Sequence, residues 1–171
     1  MRILPILVAI AALGAVVSPA AYRAGKNQSH VFGDLAAVVD LFTTHLTGSG
    51  EPEELLAGAV QANFFQMIGV RPLMGRTFSS GEDRRGREHV VILSYQLWHR
   101  RFGGDPGVLG RSIVLGGAPR EVIGILPPDF TWNNRQTDVW VPYATDSGGT
   151  ESRYMSSVEM NKGREEKKQC V

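Results

Sequence analysis

The stretch RSIVLGGAPREVIGILP, residues 111–127, constrains the fold more than any other part of the chain. Two runs rich in Ile and Val flank Gly116, Gly117, Ala118 and Pro119. β-Branched residues suit a pleated surface, and adjacent glycines supply the positive φ that short hairpin loops demand. The chain is therefore expected to double back here as an antiparallel hairpin.

A lone hairpin is not stable in water, so further strands must complete a sheet. LAAVVDLFTTHLT (35–47) and LLAGAVQ (55–61) read as two strands, joined through the turn GSGEPEE into a second hairpin. VVILS (90–94) reads as a short buried strand, and DVWVPY (138–143) as another. SPAAYRAGKNQSHVFGDL (18–35) has the pattern of a short amphipathic helix anchored by Tyr22, Val31 and Phe32. In ANFFQMIGV, Phe64, Phe65, Met67 and Ile68 recur at helical intervals, and Gly69 stands where a helix ends. RPLMGRTFSSGEDRRGREH (71–89) is expected to be a solvated loop. Helices mixed with antiparallel hairpins predict the α+β class.

The densest stretch is SYQLWHRRFGGDPGVLGR, residues 94–111. Ser94 is a suitable N-cap for a helix through Phe102. Tyr95, Trp98 and Phe102 fall at i, i+3 and i+7, one apolar face with Leu97 beside it. Gly103 should end the helix, and Gly104, Asp105, Pro106 and Gly107 should make the next turn. Arg100 and Arg101 sit in the last helical turn, where the helix dipole favours cations. This reading makes Tyr95, Trp98, Phe102, Gly103, Gly104, Asp105 and Pro106 a structural motif rather than a catalytic one.

Chemistry has little support elsewhere. The chain lacks a phosphate-binding G-x-x-x-x-G-K-[ST], a G-x-G-x-x-G after a strand, and a G-x-S-x-G nucleophile turn. None of His30, His45, His89 and His99 pairs at i, i+4, and there is no H-E-x-x-H, so a helical zinc site is not indicated. Cys170 is the only cysteine, which excludes an internal disulfide. Lys and Arg number 18 against 17 Asp and Glu, so no strong field steers nucleic acid to the chain. The charges of GEDRRGREH alternate in sign and are expected to neutralise one another. Amphipathic spacing accounts for Trp98 and strand alternation for Trp140. Trp132, in a loop beside Phe130, is the candidate for an exposed contact surface. No catalytic residue, cofactor site or metal site is expected.

The N-terminus has its own character. MRILPILVAIAALGAVVSPAA begins with one Arg, runs apolar from Ile3 to Val17 and then turns small. That is the layout of an export signal, and with Ser18–Ala21 it nearly reaches the length of an inner-membrane anchor. Both options put the remainder outside the cytoplasm; a buried helix or a misassigned start are the other readings. Three regions are expected: residues 1–20, signal or anchor; 21–145, the folded domain; and 146–171, a polar tail, disordered or truncated, in which the pattern fails and the chain frays beyond about residue 158.

Four blocks go further than composition. Asn63–Phe65, Gly69–Phe78, Val91–Arg111 and Gly124–Phe130 stand in the order and spacing of N-F-F, G-V-x-P-x-x-G-R-x-F, V-x-L-S-Y-x-L-W-x-R-R-F-G-G-D-P-x-V-L-G-R and V-G-V-x-P-x-x-F. Residues 19–145 thereby resemble the MacB-like periplasmic core domain of MacB/FtsX-type ABC-transporter permeases, nearest the large duplicated permeases of soil bacteria. The resemblance implies a non-enzymatic extracytoplasmic domain set between the first two transmembrane helices. Its implied partners are the permease membrane region and a separate cytoplasmic ABC ATPase, with envelope proteins as further contacts. It also implies an α+β fold with a smaller β-rich lobe beside the mixed one.

Two features depart from the family pattern. The apolar segment abuts the domain, and the tail ESRYMSSVEMNKGREEKKQC starts like the family's next strand and then loses the pattern. A truncated permease is the favoured expectation. A stand-alone exported binding module is the alternative, and a small hydrolase using His99 and Asp105 is the third.

Overall fold

The structure, a computed structural model, describes residues 35–48, 50–132, 135–143 and 155–159. The expected helix at 18–35 and the apolar segment lie outside the described residues, save for Leu35, which is strand. Eight strands form one sheet. They are β1 (Leu35–Thr47), β2 (Glu53–Val60), β3 (Met74–Gly75), β4 (Val90–Leu93), β5 (Ser112–Leu115), β6 (Ala118–Ile125), β7 (Val139–Pro142) and β8 (Met155–Glu159). Helix α1 (Phe64–Met67) follows β2, and α2 (Tyr95–Phe102) follows β4. A 3₁₀ turn (Pro106–Val108) leads into β5.

The strand order is β2-β7-β4-β6-β5-β1-β8, with β3 beside β6. β1 also pairs with β2, so the order returns on itself. Both hairpins expected from sequence form, β1 with β2 and β5 with β6. Two pairings are parallel, β2 with β7 and β4 with β6, which makes the sheet mixed. Val38 pairs with both Val60 and Ser156, and Leu46 with both Glu53 and Leu115. β8 and β5 therefore share the edge of β1 opposite β2, at its two ends.

Strand alternation sorts the core into two layers. Val91, Leu93, Val139 and Val141 belong to one cluster, which Leu97 and Trp98 of α2 and Val108 cover. Val90, Ile92 and Trp140 belong to the other, covered by Phe64 and Phe65 of α1 together with Phe78. β4 and β7 are buried along their whole length, as strands with both faces covered must be. Each large apolar side chain so buried contributes about 1.5–3 kcal/mol.

Two expectations change. The turn of the β5–β6 hairpin is shorter than expected: Leu115 pairs with Ala118, so Gly116 and Gly117 alone turn the chain, at φ +56° and +81°. Ala118 and Pro119 belong to β6. Residues 71–89 are not wholly a solvated loop. Met74 and Gly75 pair with Ile125 and Gly124, and Phe78 is buried. The physical reason is the absence of side chains: a Cβ on Gly75 would overlap the Ile123 carbonyl, and one on Gly124 the Arg76 carbonyl. Only two glycines let these backbones meet. β8 lies within the stretch 146–171 expected to be a tail, the rest of which lies outside the described residues.

Candidate functional site

The stretch 94–111 folds as a chain of local closures. The Ser94 hydroxyl accepts the Leu97 N–H at 3.1 Å, capping α2. Leu97 and Trp98 are buried, while Tyr95 and Phe102 pack half-buried against the same cluster. The Tyr95 and Trp98 rings meet edge to face with centroids 5.8 Å apart. Gly103 ends the helix in the left-handed conformation, at φ +62°, and the Gly104 N–H returns to the Trp98 carbonyl at 3.2 Å.

Asp105 is the centre of the following turn. Its backbone carbonyl accepts the Trp98 indole N–H at 2.9 Å. One carboxylate oxygen accepts the Gly107 N–H at 2.8 Å, and the other accepts from Arg111 at 2.8 Å. Pro106 opens the 3₁₀ turn, where its missing N–H is not needed. The structure thus brings Tyr95, Trp98, Phe102, Gly103, Gly104, Asp105 and Pro106 into one helix-and-turn unit. His99 is exposed and lies against Tyr95 and Trp98, with ring centroids 4.4 and 4.8 Å away.

Phe130 and Trp132 are half-buried at the rim of the second core layer. The Trp132 ring stands edge-on to Phe64 at 5.0 Å, and Phe130 meets Phe65 at 5.8 Å and Trp140 at 5.9 Å. Much of each ring is spent on the core.

Sequence reasoning missed the ionic ties. Arg100 donates to Glu53 at 2.7 and 3.0 Å and to Asp138 at 3.1 Å. Asp138 in turn accepts the Leu56 N–H at 3.0 Å, and its carbonyl accepts the Ser94 N–H at 2.8 Å. The end of α2, the start of β2 and the entry to β7 are held together there. Burial alone would lower the Arg100 pKa, but the hydrogen bonds to Glu53 and Asp138 prevail and raise it. Arg76 and Glu82 make a two-pronged pair at 2.7 and 2.9 Å, and Glu82 also accepts the Ser79 N–H at 2.7 Å. Burial pushes the Glu82 pKa up, yet the bonds from Arg76 and Ser79 outweigh it and leave it below the ordinary value. Alternating charge signalled loop pairing in 71–89; nothing local marked Glu53 as the partner of Arg100.

These polar groups serve backbone and neighbouring side chains. Among the described residues no cluster of three His, Cys, Asp or Glu side chains could hold a metal ion, and no helix is long and apolar enough to cross a membrane.

Comparison with known proteins gives this architecture its family. The sequence model of the MacB-like periplasmic core domain matches residues 8–164. The macrolide export ATP-binding/permease protein MacB of Burkholderia pseudomallei is 32% identical over 142 residues, 74% of this chain and 21% of its own length. The protein of that name from Escherichia coli K12 is 31% identical over 94 residues, 54% of this chain and 14% of its own. The chain thus spans about a fifth or less of the curated relatives it matches. The periplasmic region of MacB from Actinobacillus actinomycetemcomitans superposes with a TM-score of 0.64 at 15% identity, covering 82% of this chain and 64% of that one. The extracellular domain of the noncanonic ABC-type transporter YknZ from Gram-positive bacteria gives a TM-score of 0.62 at 19% identity, covering 81% and 71%. With its α+β fold and its match from residue 8 to 164, the chain belongs to the MacB-like periplasmic core domains, the periplasmic part of ABC-transporter permeases.

Proposed function

We propose that this chain is the non-catalytic extracytoplasmic body of an ABC-transporter permease, held at the inner membrane by residues 3–21. It is a piece of a longer protein whose transmembrane helices a separate ABC ATPase drives. One observation supports the non-catalytic role above the rest: the polar groups of Ser94, Trp98 and Asp105 in the family's densest motif are taken up in closing its own fold. Ser94 caps α2, Trp98 ties down Asp105, and both Asp105 carboxylate oxygens hold the 105–111 turn. A body so cross-tied suits transmitting movement between the membrane and an outer partner. The half-exposed edges of Phe130 and Trp132 offer that partner an apolar contact.

The test is a β-lactamase fusion after residue 171 of the full chain in a Gram-negative host. The expected result is ampicillin resistance, with the fusion staying in the membrane pellet after alkaline washing. A fusion that leaves cells sensitive while it accumulates in the cytosol overturns the reading.

A further inference from the structure

We draw no further inference here: the strongest candidate, the half-buried apolar rim where Met67, Ile68 and Val70 at the end of α1 and Phe130 and Trp132 in the loop after β6 pack against the second core layer, carries nothing because nothing in the structure shows what covers it.

Discussion

The indole N–H of Trp98 donates to the backbone carbonyl of Asp105 at 2.9 Å, so the side chain that fills the core beneath α2 also fixes the turn beyond it. Trp98→Phe keeps most of the packing and leaves that carbonyl without its donor. The expected loss is about 1–2 kcal/mol in chemical denaturation. Trp98→Ala should lose about 3–5 kcal/mol, because it also opens a cavity.

Gly75 and Gly69 have the same φ, +73°, in opposite surroundings. A Cβ on Gly75 overlaps the Ile123 carbonyl, whereas one on Gly69 meets nothing within 4 Å. Gly75→Ala is expected to cost about 2–4 kcal/mol, strain and overlap together. Gly69→Ala pays for its backbone conformation alone, about 1 kcal/mol. Thermal or urea midpoints of the two variants measure the difference. Equal losses would contradict the close approach of β3 to β6.

Arg100 and Asp138 are bonded to each other yet differ in what they hold. The Arg100 side chain is 51% exposed, so Arg100→Ala should cost no more than about 1 kcal/mol. Asp138→Ala also strands the Leu56 N–H and should cost about 2 kcal/mol. Denaturation of both variants and of the double variant gives the coupling between them.

Glu82 makes stability depend on acid. Its folded pKa lies below its ordinary value of 4.5, so the native state binds the proton more weakly than the unfolded chain does. The stabilisation is complete above pH 4.5 and is lost as pH falls through the folded value. The unfolding midpoint should drop in that acid window, and Glu82→Gln should make the drop shallower.

Much of this fold was legible in sequence because the informative signals are local. Ser94, the 95/98/102 spacing and Gly103 define α2 within ten residues, and the two glycines at 116 and 117 define a hairpin. The parallel pairings of β2 with β7 and β4 with β6 were not legible, since period-2 alternation carries no information about direction. β3 was missed because two residues are too few to show a period, and only the matching glycine on β6 betrays it. The partners of Arg100 lie 47 and 38 residues away, beyond the reach of any spacing rule. Charge alternation in 82–88 was visible, but that Glu82 bonds Arg76 and Asp83 accepts the Ala62 N–H needed the fold to bring those partners up.

Membership of a permease is tested most directly by the DNA around this chain, resequenced and translated through codon 171 in all three frames. The expected result is a continuation, in frame or in a neighbouring frame, into transmembrane helices, with an ATP-binding cassette encoded beside them. A confirmed stop with no such helices in any frame would contradict it and leave a stand-alone exported binding module.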